Sequence, residues 1–87
     1  MAIVIKKDDR KEDFNREKVR RGIENAAKRV KIDKKKAREI ADKISRDIER
    51  NFADKNEVKS ADIRDRILRA LDREEKRVAK EFRAFKK

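Results

Sequence analysis

The sequence contains no cysteine and no histidine in its 87 residues. Those two absences exclude a disulfide framework, a zinc ribbon, a thiol nucleophile and an imidazole base. Glycine occurs once, at Gly22, so a glycine-rich phosphate loop of the P-loop kind cannot form. No general base and no Mg²⁺-binding carboxylate cluster stands out, and the expected role is non-enzymatic. No apolar run is long enough to cross a bilayer or to act as the apolar part of a signal peptide, which makes the cytoplasm the expected location. Aromatic residues are few. Phe14, Phe52, Phe82 and Phe85 are all expected in the core rather than as platforms for base stacking.

What the chain has in abundance is charge: 56% of its residues are charged and the net charge is +11. Both signs are interleaved, with a net +4 over residues 1–30, +2 over 31–57 and +5 over 58–87. Most of these groups read as a solvated surface laced with i,i+4 ion pairs. Dense mixed charge with a single Met also fits a heat-loving source. The positive excess favours polyanionic partners such as nucleotides, nucleic acid or acidic protein surfaces. Charge at this density can also mean disorder, but the apolar residues keep helical spacing throughout, which argues for a folded domain.

The length allows one domain, 1–87. Ala2-Ile3-Val4-Ile5 is a β-branched run and predicts a strand. Asp8-Asp9 predicts a turn, and residues 10–14 return as a second strand ending on Phe14, giving a hairpin over 2–14. Asn15 is placed to cap a helix over about 16–30, with Val19, Ile23, Ala26, Ala27 and Val30 on one face. Gly22 in its middle is expected to admit the close approach of another backbone. Asp33 caps a second helix over about 34–51, and residues 53–57 read as a polar connector. Ser60 is a cap candidate for a third helix over about 61–71. Asp72-x-x-Glu75 has capping-box spacing for a fourth over about 73–86, with Val78, Ala79, Phe82 and Phe85 inward. The last two lysines are expected to fray. The fold class is α+β and mostly helical: an N-terminal β-hairpin packed on a four-helix body.

The most informative stretch is residues 4–19, where the hairpin runs into the first helix. It sets Lys6, Lys7, Lys18, Glu12 and Asn15 around one corner. Cations gathered beside a helix start make a seat for a phosphate chain. Each residue taken alone has a plainer reading. Lys6 and Lys7 can be edge-strand lysines that block aggregation, Glu12 their cross-strand partner, and Asn15 and Ser60 simple caps.

The order of elements and these residues resemble the ATP-cone family, the nucleotide-sensing domains of ribonucleotide reductases and of the repressor of reductase genes. The segment Val4-Ile5-Lys6-Lys7-Asp8 through Glu12-x-Phe14-Asn15-x-x-Lys18 is similar to the family's Val-x-Lys-Arg-(Asp/Asn)-Gly hairpin, carboxylate, apolar residue, Asp or Asn, and Lys. Val58-Lys59-Ser60-Ala61-Asp62-Ile63 resembles its segment opening the third helix, and Val78-Ala79-x-x-Phe82-x-x-Phe85 its closing pattern. The resemblance implies a regulatory module that binds ATP or dATP, with or without Mg²⁺, between hairpin and helices, and whose oligomeric state or protein partner responds. It implies that Lys6, Lys7 and Lys18 meet the phosphates, that Glu12 and Asn15 lie at the sugar and base, and that Ser60 donates a hydroxyl. Two departures stand out: Asp9 replaces the hairpin Gly, and Lys7 the usual Arg.

Two further readings compete. One is a basic nucleic-acid-binding protein acting by phosphate contacts through Arg64, Arg66, Arg69, Arg73, Lys76, Arg77, Lys80 and Arg83, although these fall on several faces. The other is a degenerate cone serving only as an association module.

Overall fold

The computed structural model describes residues 2–85 as three short strands and four helices. Strand β1 is Ile3–Ile5, β2 is Lys11–Asp13, and the helices are α1 (Arg16–Arg29), α2 (Lys34–Phe52), α3 (Ser60–Glu74) and α4 (Lys76–Ala84). The architecture is α+β and mostly helical, as the patterning implies. Lys86 and Lys87, expected to fray, lie outside the described residues.

The hairpin closes through a three-residue turn. The Asp9 amide donates to the Lys6 carbonyl at 3.0 Å and the Lys6 amide to the Arg10 carbonyl at 2.8 Å. Asp9 takes the left-handed position at φ 69° that this turn type normally gives to Gly. Asp8 stiffens the turn by accepting from the Arg10 amide at 3.2 Å and its guanidinium at 2.7 Å. The Arg10 amide, seconded by its guanidinium, holds the Asp8 carboxyl below its ordinary pKa.

A third strand, β3 (Glu57–Lys59), pairs parallel to β1, giving the order β2-β1-β3. Residues 53–57 read from sequence as a polar connector, whereas β3 begins at Glu57. Val58 is its single buried side chain between two exposed charged ones, so no periodic signal exists. The pairing depends on a strand more than fifty residues away in the chain.

The core joins the inner face of this sheet (Ala2, Val4, Val58) to stripes on all four helices. Helix α1 packs along α2 and against α4, and α3 packs on α4 and α2. Ala26, Ala27, Ala37, Ala41 and Ala79 are almost wholly buried, so the helices approach closely and a small chain reaches a dense interior. Asn15 caps α1, accepting from the Glu17 and Lys18 amides at 2.9 and 3.3 Å. Helix α1 ends in a Schellman closure. The Ile32 amide donates to the Ala27 carbonyl at 3.0 Å and the Lys31 amide to the Lys28 carbonyl at 3.1 Å, with Lys31 at φ 61°. Asp33 caps α2 through the Lys35 and Lys36 amides.

Four local expectations are corrected. The Asp72–Glu75 capping box does not form. Nothing between Leu71 and Glu74 breaks a helix, so α3 continues to Glu74 and the break falls at Glu75, whose backbone is extended (φ −160°, ψ 100°). Asp72 instead meets Arg83 at 3.4 Å. Ser60 is the first residue of α3 rather than its cap; Lys59 holds the cap position without a side-chain bond. Gly22 faces not a backbone but the Phe82 ring, 3.5 Å from where a Cβ would stand. Phe85 is 45% exposed rather than buried, with the Arg29 guanidinium 4.1 Å above its ring.

Candidate functional site

Strand pleating decides which hairpin side chains face the helices. Val4 lies opposite Glu12 on β2 and Val58 on β3, so all three side chains share one face. Val4 and Val58 are buried on it, and Glu12, longer and charged, reaches past them to the rim. Lys6 is two residues beyond Val4. Helix α1 leaves the other end of β2 and carries Lys18 back along the sheet.

The result is a three-residue ionic cluster built from three elements. The Nζ atoms of Lys6 and Lys18 each lie 3.7 Å from the same Oε2 of Glu12. The carboxylate is shared, so the cluster carries one surplus positive charge. Lys6 and Glu12 are about two-thirds covered, whereas Lys18 projects into solvent. Asn15 stands just before α1 with its side-chain carbonyl committed to the cap, leaving its NH₂ to donate elsewhere.

Ser60 reaches the same region by the sheet register. Lys59 pairs with Ile5, so Ser60 follows at the level of Lys6, half-buried at that end of the sheet. Lys7 differs from the others. It sits exposed in the turn and joins no ion pair among the described residues. Thus Lys6, Glu12 and Lys18 are brought into contact, Ser60 and Asn15 are placed at the two ends of the same sheet, and Lys7 stays apart.

A cleft of about 520 Å³ opens at the opposite end of the β1–β2 ladder from Lys6. Phe14 and Phe52 form its apolar surface, and Arg16, Arg46 and Arg50 its rim, with Arg16 paired to Glu49 at 3.2 Å. None of the six sequence-selected residues lines it. Phe14 and Phe52, expected in the core, are partly buried and pack against its edge, each with a surface open to the cleft. The one advance signal was the four-residue spacing of Arg46 and Arg50, which puts both on one face of α2. The convergence of α2 with Phe14 had none. Phe14 is two residues beyond Glu12 on β2 and shares its face, so one pleat repeat of about 7 Å connects the cleft to the ionic cluster.

The family model of the ATP cone domain matches residues 2–87. The chain belongs to the ATP-cone family. Among curated proteins, this cone is similar to the transcriptional repressor NrdR of Desulforapulum autotrophicum, at 32% identity over 98% of the chain and 53% of that protein. It is similar also to the NrdR repressors of Symbiobacterium thermophilum (39% identity over 79% of the chain and 45% of the protein) and Listeria welshimeri (36%, 79% and 44%). The cone spans about half the length of these curated relatives. No solved structure matches it.

Proposed function

We propose that this cone is a non-catalytic regulatory module that binds ATP or dATP across the inner edge of its N-terminal sheet, and that occupancy alters its self-association or its hold on a protein partner. The observation that carries the reading is the convergence of Lys6, just past the end of β1, and Lys18, in α1, on one carboxylate oxygen of Glu12. Two ammonium groups held on one carboxylate oxygen keep a net positive charge that favours a further anion. A phosphate chain is a stronger counter-ion than a single carboxylate, and its charge-assisted bonds are of the strong kind. Ser60 supplies a hydroxyl on the same side, and Lys7 stands exposed in the adjoining turn, where it adds to the positive charge.

The ligand's long axis follows the face from Lys6 through Glu12 to Phe14. Phosphates at the lysines put the sugar near Glu12 and Asn15, and the base toward the apolar side of the cleft at Phe14 and Phe52. An effector module needs no nucleophile or base, and the residue inventory supplies neither histidine nor cysteine. Any Mg²⁺ would arrive on the phosphates. A sensor of this kind also accords with relatives that are transcriptional repressors.

Calorimetric titration with ATP, dATP and ADP, with and without Mg²⁺, tests the reading alongside light scattering of the same samples. Saturable binding that is lost in the Lys6→Ala/Lys18→Ala double variant, with a change in mass on saturation, is the expected result. No heat at millimolar nucleotide would leave the cone as an association module only.

A further inference from the structure

A second concentration of charge lies away from the hairpin. Residues 28–38 hold seven lysines and arginines against Asp33 alone, so this short turn supplies six of the chain's eleven net positive charges. Asp33 is spent on capping the Lys35 and Lys36 amides. Lys28, Arg29 and Lys36 touch Glu24, Glu81 and Glu75 only at 3.7–3.8 Å. Lys31, Lys34, Lys35 and Arg38 have no carboxylate within ion-pair reach among the described residues, and all four are exposed.

These cations sit where local physics disfavours them. Lys31 occupies the left-handed C′ position of the Schellman closure at φ 61°, a site where Gly is the favoured residue. Lys34, Lys35 and Lys36 fill the first turn of α2, which contains no acidic residue, so three positive charges face the positive end of the helix dipole. Within six residues the chain departs from a backbone preference at Lys31 and from an electrostatic one at Lys34–Lys36, and each departure places a cation. Such departures collect at functional sites. The turn is also held rigidly by the paired Schellman bonds and the Asp33 cap.

We infer that the α1–α2 turn is a docking face for the phosphate backbone of duplex nucleic acid. Lys34, Lys35 and Arg38 span one exposed arc of α2, and Lys31 extends it across the turn. Residues 28–38 contain no aromatic residue, and the nearby Phe85 ring is covered on one face by the Arg29 guanidinium, which leaves little for stacking on an unpaired base. The face offers no apolar wedge for a bilayer either, since Ile32 and Ala37 are buried and Val30 is half-buried. A fixed backbone that presents mainly lysine ammonium groups, with Arg38 as the one fork in the set, suits a regular phosphate array more than the reading of base edges.

The test uses fluorescence anisotropy on a duplex of about 20 base pairs, from about 50 to 200 mM salt. The patch variant is Lys31→Gln/Lys34→Gln/Lys35→Gln. The control, Lys55→Gln/Arg66→Gln/Arg69→Gln, removes the same charge from other exposed positions. Losing three phosphate contacts lowers the slope of log affinity against log salt by about two to three, and affinity by at least about tenfold. The control is expected to change the slope by less than about one. The fold survives in the patch variant because the changes relieve charge at the dipole, and circular dichroism verifies it. Equal losses in patch and control variants would overturn the inference, as would no duplex binding by the wild type at the lowest salt. Tighter binding to phosphatidylserine vesicles than to duplex, abolished in the patch variant, would assign the face to membranes instead. Lys6→Ala/Lys18→Ala leaves duplex binding intact, so this inference and the nucleotide reading fail separately.

Discussion

Glu12 is the residue whose replacement tests the ionic cluster most sharply. Its carboxylate is shared by Lys6 and Lys18 at 3.7 Å each. Coulomb's law puts one such pair at about 1 kcal/mol in bulk water and several times that at an effective dielectric near 20. Glu12 is 35% exposed and Lys18 67% exposed, so screening holds each pair to about 0.5–1 kcal/mol. Glu12→Gln keeps the shape, removes the charge and frees both lysines. An incoming polyanion no longer has to displace an internal counter-ion. Affinity for inorganic triphosphate, which has neither sugar nor base, should therefore rise about five- to thirtyfold. ATP should gain less, because a carboxylate at the sugar and base is lost at the same time. Parallel calorimetric titrations of both ligands into wild type and variant give the comparison. Triphosphate affinity that stays level or falls in Glu12→Gln would refute the claim that Glu12 is the counter-ion of this pair, and with it the placing of phosphates at Lys6 and Lys18.

Three other perturbations test the framework. Gly22→Ala places its methyl 3.5 Å from the Phe82 ring, an ordinary contact, so the gain in helix propensity should raise stability by about 0.5–1 kcal/mol in urea unfolding; a loss would show that the Phe82 packing cannot accept it. Asp9→Gly relieves the left-handed backbone at φ 69° and should add about 0.5–1 kcal/mol, while removing one negative charge from the turn that follows Lys6; weaker nucleotide binding in this variant would count against the site. For pH, hydrogen bonds from Arg20 and Arg77 hold the Glu17 and Glu75 carboxyls below their ordinary 4.5, and the Glu74 hydrogen bond holds the Lys43 ammonium above its ordinary 10.5. A lowered carboxyl contributes above the unfolded pKa and loses its contribution as pH falls through the folded value. A raised lysine contributes below the unfolded pKa and loses it as pH rises through the folded value. With no histidine to titrate between, the urea midpoint should be flat from about pH 5 to 7 and decline below about 4 and above about 10.5; a slope across neutrality would contradict the assignment.

The sequence by itself determined the elements whose signals are local. The apolar stripes of α1 and α2, the caps at Asn15 and Asp33, the turn at Asp8-Asp9 and the sequence of hairpin and helices all rest on interactions within a few residues, so periodicity and capping chemistry suffice to read them. The spacing of Lys6, Glu12 and Lys18 likewise announced a cluster, because a hairpin must return its second strand beside its first. Tertiary structure decided the rest. Strand β3 exists only because β1 is there to pair with Val58 and its neighbours, and Ser60 reaches the level of Lys6 only through that pairing. The end of α3 was settled by the absence of any breaker before Glu75 rather than by the box that Asp72 and Glu75 spell out. Phe85 stayed at the surface under Arg29 while Phe82 turned to Gly22, a choice between two rings on one helix that no local pattern encodes. The physical reason is common to these cases: local free energies of a fraction of a kcal/mol propose an element, and the larger burial terms that accept, extend or overrule it belong to surfaces that meet only after the chain has folded.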